Sequence, residues 1–260
     1  MQNNIIAKEA VIGKNVFIGN FSTIEEDVSI GNNTWIGNNV SILKGTKIGA
    51  NCQIHSNCVL GGVPQDLKFE GEYSVLEIGN NNIIREFVTI NRGTKSKGIT
   101  SIGNSNLIMA SVHIGHDCFI GSNCIIGFSA GIAGEVQIGN WVNISGLTAI
   151  HQFSKIGDHA MISGLSRIVK DIPPFITVAH EPLRYAGLNT IGLRRRGFDS
   201  EKISELKSIY QIIFEKGKNT SAALETIERD FEATIERNQI LDFIKCSERG
   251  ILKGMRDLQQ

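Results

Sequence analysis

The sequence predicts a mainly β protein: a parallel β-helix of hexapeptide repeats followed by a small α-helical C-terminal domain. Isoleucine occupies 24 of the 28 positions divisible by six between Ile6 and Ile168, and Leu60 fills a twenty-fifth. The repeat is broken in two stretches, and after Pro173 and Pro174 the apolar residues recur at a helical spacing instead. A fixed period of this kind indicates a solenoid, in which each repeat is one structural unit.

Each hexad can form one short strand that ends in a turn, with its isoleucine pointing inward and the following glycine permitting the bend. Three hexads close one triangular coil of 18 residues. Residues one coil apart therefore stack on the same face, about 4.8 Å apart along the axis. Because one coil cannot bury its faces alone, stability is expected to accumulate from neighbour to neighbour.

Two stretches lack the repeat and are predicted to leave the solenoid as loops, residues 61–77 and 92–101. A solenoid tolerates insertions only at its corners, and loops on a rigid scaffold are where binding groups concentrate. Both loops are therefore candidates for function. The β-helix is predicted over residues 1–174, because Pro173 and Pro174 lack the amide hydrogens that a further strand would need.

Residues 175–260 are predicted to form the α-helical domain. Asp199 is a candidate N-cap for a first helix, and Gly217 is a candidate stop for it. The apolar positions that define the three predicted helices are Ile203, Leu206, Ile209 and Ile213, then Leu224, Ile227 and Phe231, then Ile240, Phe243 and Ile244.

The charge balance argues against several classes of partner. The 26 basic and 26 acidic side chains give a net charge of zero, so bulk electrostatics favour neither nucleic acid nor a membrane surface. No apolar run reaches the length of about 18 residues that a membrane helix needs. The first residues also lack the basic and apolar regions of a signal peptide. We therefore expect a cytoplasmic protein without an integral membrane segment.

The register places one histidine on a column suited to acyl transfer. The hexads run unbroken over residues 102–168, so steps of 18 put His116, Gly134 and Gln152 on one edge of the coil, with His151 beside them. A neutral imidazole can take a proton from an attacking hydroxyl, and a backbone amide can donate to the oxyanion that forms. The column is therefore a candidate catalytic site.

Asp117 belongs to the same candidate site, because it could orient the His116 ring, although successive strand residues normally face opposite ways.

Two other interpretations of the histidines stay open at this point. A histidine on an outward repeat position can also be surface decoration. A metal site of His113, His116 and His151 is the other alternative, but the odd spacing of the first two makes them diverge in a strand. No metal ion is expected.

The motifs taken together resemble the UDP-N-acetylglucosamine O-acyltransferases of lipid A biosynthesis. They are QDLK in the first loop, then HIGHDC, TAIHQF, DIPPF and GLRRRGF. The resemblance covers essentially the whole chain and implies a left-handed coil, a homotrimer with active sites between neighbouring prisms, and no cofactor. The reaction it implies moves a 3-hydroxyacyl chain from the phosphopantetheine thioester of acyl carrier protein to the 3-hydroxyl of UDP-N-acetylglucosamine.

The resemblance also implies roles for individual residues. His116 would be the general base, Gly134 the source of the oxyanion-stabilising amide, and Gly164 the ruler at the far end of the acyl groove. Because glycine has no side chain, this groove should accept a long chain. The implied substrate contacts are Gln65, Asp66, Lys68, His113, Glu135, His151, Gln152, Asn189, Arg195 and Arg196, of which the last three would hold the nucleotide and its phosphates.

Glu135 departs from the family pattern, because familiar members carry histidine at this place. A carboxylate forms different hydrogen bonds from an imidazole, so an acceptor with a 3-amino group stays open as an alternative. The remaining alternatives are an acyltransferase that uses acetyl-CoA or another sugar nucleotide, a metal-dependent hydratase, and a non-catalytic scaffold. A scaffold would need neither loop, nor the His116 column, nor the arginine cluster.

Overall fold

The computed structural model describes residues 3–214 and 219–254, and in it the chain winds into a three-sided prism. Consecutive strands lie on consecutive faces, which we name sheets A, B and C. Strands of successive coils pair in parallel, and in the uninterrupted coils the register steps by one coil, as in His113 opposite Gly131. The predicted parallel β-helix of hexapeptide repeats is confirmed.

The strands of the prism are short and belong to one sheet each. Sheet A contains β1 (Ile5–Ile6), β4 (Thr23–Ile24), β7 (Ser41–Ile42), β10 (Val59–Gly62), β13 (Thr89–Asn91), β16 (His113–Ile114), β19 (Gly131–Ile132), β22 (Ala149–Ile150) and β25 (Arg167–Ile168). Sheet B contains β2 (Val11–Ile12), β5 (Ser29–Ile30), β8 (Thr46–Ile48), β11 (Val75–Ile78), β14 (Ile99–Ile102), β17 (Phe119–Ile120), β20 (Gln137–Ile138) and β23 (Lys155–Ile156). Sheet C contains β3 (Phe17–Ile18), β6 (Trp35–Ile36), β9 (Gln53–Ile54), β12 (Ile83–Ile84), β15 (Leu107–Ile108), β18 (Ile125–Ile126), β21 (Asn143–Ile144), β24 (Met161–Ile162), β26 (Ile176–Ala179) and β27 (Arg184–Leu188).

The hexad isoleucines form the core of the prism, and most of them are fully buried. The bend at each corner differs from the prediction. The residue three places after the isoleucine has the positive φ, even where it is Phe87 or Leu147. The glycine after the isoleucine has another purpose, since a Cβ at Gly31 would lie 2.5 Å from the backbone nitrogen of Ala50 in the next coil. Glycine therefore permits close stacking of the coils.

The prism extends beyond the predicted end of the solenoid. β26 follows the two prolines and pairs in parallel with β24 as a further strand of sheet C. β27 then adds an antiparallel strand at the same edge. Pro174 and Phe175 occupy the corner turn, and Phe175, directly after the prolines, still donates its N–H to the Asp158 carbonyl of the preceding coil at 2.7 Å, so the prolines do not stop the sheet.

The helical domain contains α1 (Thr190–Arg195), α2 (Ser200–Ile213), α3 (Thr220–Asp230) and α4 (Ile235–Lys245). The N-cap prediction is confirmed, since the Asp199 side chain accepts from the backbone N–H of Lys202 at 2.7 Å. Gly217 lies outside the described residues. Tyr210 in α2 anchors the domain to the prism by donating its hydroxyl to the Pro174 carbonyl at 2.6 Å. None of the helices in the described ranges is long and apolar enough to cross a membrane.

Candidate active site

Both loops leave the prism at one corner, the edge where sheet A turns into sheet B. The first loop connects β10 to β11, and the second connects β13 to β14. The neck of the second loop needs glycine at position 93, because a Cβ there would collide with the backbone of Gly98 and Ile99. His116 and Gly134 lie in turns at the same A/B corner, further along the axis. The prism therefore gathers both insertions and the candidate column at one edge.

His116 is buried, with 7% of its surface exposed, and its ring lies against Gly134 of the next coil. Its Nδ1 is 2.8 Å from Oδ2 of Asp117. Because a carboxylate only accepts hydrogen bonds, Nδ1 carries the hydrogen, and Nε2 of the neutral ring is left with a free lone pair. This is the tautomer that a general base needs.

Asp117 is fully buried, and its carboxylate accepts several hydrogen bonds. Besides His116, the donors are the N–H of Thr94 at 3.0 Å, its hydroxyl at 2.7 Å and the N–H of Lys97 at 3.2 Å. The expectation that strand alternation turns Asp117 away from His116 is wrong. These two residues lie in the corner turn, where Asp117 has φ 57°, so the alternation of a strand does not apply.

The backbone amide of Gly134 does not donate to a side chain of the next coil, whereas the equivalent amides at another corner do. At the corner between sheets B and C, Asn104 N–H donates to Ser122 Oγ at 2.9 Å, and Ser122 N–H donates to Asn140 Oδ1 at 2.9 Å. Within the described ranges the Gly134 N–H has no such partner, since Gln152, one coil further, does not accept from it. The amide is available to a ligand.

The two other predicted site histidines, His113 and His151, are placed differently from His116. His113 lies at the start of β16, and its Nδ1 is 2.8 Å from Thr89 Oγ1. Burial lowers the pKa of His113, so the ring is neutral near pH 7. His151 is exposed, and its Nδ1 donates to the carbonyl of Gln152 at 3.0 Å. Among residues 3–214 and 219–254, no three His, Cys, Asp or Glu side chains are arranged to hold a metal ion.

Glu135 is tied to the second loop. Its Oε1 accepts from Ser96 Oγ at 3.1 Å, and its Oε2 lies 3.6 Å from Lys97 Nζ. Lys97 Nζ also lies 3.4 Å from the Asp117 carbonyl oxygen. Thr94 and Ser96 were not predicted as site residues, and Lys97 was predicted only as part of a basic patch for acyl carrier protein, because only the folded loop reveals which coil its side chains reach.

The first loop presents polar side chains near the same corner. Asp66 Oδ1 accepts from the backbone N–H of Lys68 at 3.0 Å, which fixes a local turn. The side chains of Gln65 and Lys68 are exposed, and they contact no described polar group. The loop is braced against the second loop by Arg92, whose guanidinium lies 5.4 Å from the Phe69 ring centre.

The predicted nucleotide residues lie at the corner between sheets B and C. Asn189 is the N-cap of α1 and donates from Nδ2 to the His159 carbonyl at 2.9 Å. Arg196 stacks over Trp141 at 5.3 Å from the ring centre, and its buried Nη1 has no described hydrogen-bond partner. Arg195 is exposed. Asn189 and Arg196 thus also stabilise the junction between prism and helices.

Gly164 lies at the third corner, between sheets C and A. A Cβ there would meet the Gly146 carbonyl oxygen at 3.4 Å, which is an ordinary contact, so the position is open. The same corner exposes Phe128, Leu147 and Leu165, the last by 76%. One chain therefore places the predicted base, the predicted nucleotide residues and the predicted ruler position on three different corners.

Profiles of known families match most of the chain. The profile described as UDP N-acetylglucosamine O-acyltransferase, domain 2, matches residues 171–252. The bacterial transferase hexapeptide profile matches residues 9–34, 27–62 and 99–134. These matches cover the helical domain with the end of the prism and most of the repeats.

Whole-chain comparisons agree with these profiles. The acyl-[acyl-carrier-protein]–UDP-N-acetylglucosamine O-acyltransferase of Thiobacillus denitrificans is 44% identical over 195 residues, 75% of this chain and 76% of that protein. The solved structure of LpxA, a UDP-N-acetylglucosamine acyltransferase from Bacteroides fragilis, is 48% identical and superposes with a TM-score of 0.95 over 97% of this chain and 99% of that one. The Francisella novicida UDP-N-acetylglucosamine acyltransferase gives 37% identity and a TM-score of 0.94, over 97% and 93% of the two chains.

Superposition cannot match a coil to its mirror image, so this coil has the same hand as those solved structures. Identity above 40% over three quarters of the chain, together with the profile on the helical domain, leaves one assignment. The chain belongs to the UDP-N-acetylglucosamine O-acyltransferase family.

Proposed function

We propose that this protein transfers a 3-hydroxyacyl chain from acyl carrier protein to the 3-hydroxyl of UDP-N-acetylglucosamine, the first step of lipid A biosynthesis, in the cytoplasm. The observation that carries the mechanism is the Asp117–His116 hydrogen bond, which leaves Nε2 as a base beside the free amide of Gly134. The named activity of the relatives agrees with this chemistry.

The reaction needs one proton relay and one oxyanion donor. His116 Nε2 takes the proton of the acceptor hydroxyl, whose oxygen attacks the thioester carbonyl carbon. The Gly134 N–H donates to the oxyanion that forms. The carbon–sulfur bond then breaks, and the imidazolium returns its proton to the departing thiolate. Asp117 stabilises the imidazolium meanwhile, and the donor brings its own phosphopantetheine, so no further cofactor is required.

The three-corner distribution supports a homotrimer as the active species. A flat-sided prism cannot bring its own three corners together, whereas a threefold assembly sets a corner of one subunit against a different corner of the next. Phe128, Leu147 and Leu165 form an exposed apolar edge of the kind that marks an interaction surface or an apolar ligand groove. An acyl groove between subunits would cover this edge.

The contacts of Glu135 favour the hydroxyl acceptor over the 3-amino analogue. Its carboxylate already accepts from Ser96 and pairs with Lys97, so its charge is offset within the chain. Lys68 and Arg194 are exposed cations without a described partner, and we propose them as contacts for acidic acyl carrier protein.

The decisive experiment measures turnover of the purified protein with UDP-N-acetylglucosamine and 3-hydroxyacyl carrier proteins, by mass spectrometry. His116→Ala should lower kcat by about a hundredfold or more while the protein stays folded, as loss of a general base does. A folded variant with wild-type turnover would remove His116 from this role.

The same assay tests the alternatives. Activity that is lost with EDTA and restored by zinc would favour a metal-dependent hydratase instead. The 3-amino analogue serves as competing acceptor, and light scattering measures the oligomeric state.

A further inference from the structure

Two carboxylates from the following coils hold the second loop, the buried Asp117 of the next coil and Glu135 one coil further. We name Ser96, Lys97 and Glu135 the latch. Each oxygen of Glu135 has its own partner, Ser96 Oγ at 3.1 Å and Lys97 Nζ at 3.6 Å. The side chains of Glu135 and Lys97 are 16% and 36% exposed, so the pair is partly sheltered from water. Such shelter makes an ion pair stronger than a fully exposed one.

The segment that the latch fastens also surrounds Asp117. Thr94 gives this carboxylate its N–H and its hydroxyl, and Lys97 gives its backbone N–H. Within the part of the chain that the structure describes, the bond to His116 is the only one that this carboxylate accepts from outside the loop. If the loop opened, Asp117 would lose three of its donors and become accessible to water. The orientation of the His116 ring therefore depends on a closed loop.

We propose that the latch is a positioning device for acyl transfer. Glu135 keeps the loop closed, the closed loop fixes Asp117, and Asp117 fixes the ring of His116. Glu135 and Lys97 are positioning residues that act through Asp117 and need not touch the substrate. The proposal extends to catalysis only through the proposed function, on which its kinetic readout rests.

The latch requires a carboxylate in this chain. Ser96 Oγ and Lys97 Nζ are both donors here, and a carboxylate offers two acceptor oxygens in one plane. A neutral imidazole has a single acceptor nitrogen, and an imidazolium has none. Histidine at position 135, the residue of the familiar family pattern, could therefore satisfy at most one of the two donors. The identity of residue 135 and the composition of the loop form a matched set.

The kinetic test compares Glu135→Ala, Lys97→Ala and the double variant. Each single change should lower kcat by about tenfold, with the KM for UDP-N-acetylglucosamine changed less than about twofold. The double variant should lose about tenfold as well, and not about a hundredfold, because both changes open one latch. Glu135→Gln should lie between wild type and Glu135→Ala, and Glu135→His should resemble Glu135→Ala. Additive losses, or a raised KM in the Glu135 variant alone, would show direct substrate contact and overturn the proposal.

A second readout does not require activity. Lys95 is exposed beside the latch, so trypsin should cut after it faster in Glu135→Ala than in wild type. Glu236→Ala is the matched control, since it removes a partly sheltered Glu–Lys pair of 3.0 Å to Lys202 between α4 and α2, away from the loops. Equal cleavage of wild type and Glu135→Ala would overturn the proposal. If wild type itself lacked turnover, the proposed function would fail, and the cleavage rates would still decide whether the latch closes the loop.

Discussion

The ring of His116 lies so close to Gly134 that a Cβ at position 134 would be 2.5 Å from Nε2. Gly134 thus provides an amide without a partner among the described residues, and it leaves the space that the His116 ring occupies. Both follow from stacking one coil on the next, because the two positions differ by one full turn of the prism.

Gly134→Ala should abolish most of the activity. The added methyl would displace the nitrogen that takes the proton, and we expect a loss on the order of a hundredfold in kcat. The matched control is Gly131→Ala, because a Cβ there meets nothing within 4 Å. Circular dichroism checks that both variants stay folded. Comparable kcat values for the two variants would contradict the proposed packing of His116.

Asp117→Asn should impair both turnover and stability. Asparagine keeps the shape, but its NH2 group would face a hydrogen-bond donor inside a buried network, at a cost of about 1–3 kcal/mol. It would also favour the wrong tautomer of His116, so kcat should fall on the order of a hundredfold. Thermal unfolding and steady-state kinetics measure the two effects. Asp199→Asn is the control, since aspartate and asparagine are both good N-caps. An equal loss of kcat and stability in that variant would count against the pairing of Asp117 with His116.

Substitution of Arg195 and substitution of Arg196 should have different effects on stability. Arg195→Ala should raise the KM for the sugar nucleotide and leave the melting temperature unchanged, because Arg195 is exposed and has no described partner. Arg196→Ala should raise the KM and also destabilise the fold by about 1 kcal/mol, through loss of its stacking on Trp141. Kinetics and thermal melts on both variants decide this. Wild-type KM values would leave the cluster as a surface feature only.

Gly164→Met should shift the donor preference towards shorter chains. The position is open, and a methionine side chain there would occupy the far end of the proposed groove. Each methylene that no longer fits forfeits about 0.8 kcal/mol of apolar burial. A competition assay with a ladder of 3-hydroxyacyl carrier proteins measures the profile, with Gln137→Met on sheet B as control. An unchanged profile would remove Gly164 from the role of ruler.

Stability should fall as the pH drops below about 6.5. Burial, and after it the charge of Arg196, lower the pKa of His159 from 6.5 to about 4. Between these values the unfolded chain takes up a proton that the folded chain refuses, so the free energy of unfolding decreases with falling pH. His159→Gln should flatten this part of the curve, measured by urea unfolding at several pH values. An unchanged slope in His159→Gln would contradict this account.

The repeat could be predicted from sequence because one residue type marks every coil. Adding 18 to 116 was enough to place Gly134 over His116, since the hexads there are unbroken. Strand alternation does not describe a corner turn, so it predicted that Asp117 faces away from His116. In the structure, the positive φ of Asp117 brings its carboxylate to Nδ1 of His116. Loop contacts were out of reach as well. Nothing in RGTKSKGITS indicates that Ser96 and Lys97 fold back onto Glu135.

The helical tail shows the same limit. Periodicity predicted α2, α3 and α4, because their apolar residues recur on one face. It missed α1, which has only six residues, and it missed β26, which follows two prolines. Prolines can occupy a corner turn and still be followed by a paired strand. The sequence alone does not distinguish such a turn from the end of the sheet.

The prism sets distances along its axis in fixed steps. A loop or groove in an irregular fold can lengthen by any amount, but here positions that recur at one corner, such as His116, Gly134 and Gln152, are separated by whole coils of about 4.8 Å each. In the proposed acyl groove, a substitution at one position would change the length finely, whereas gain or loss of a whole coil would change it by one such step. The proposed groove could therefore be altered on two independent scales.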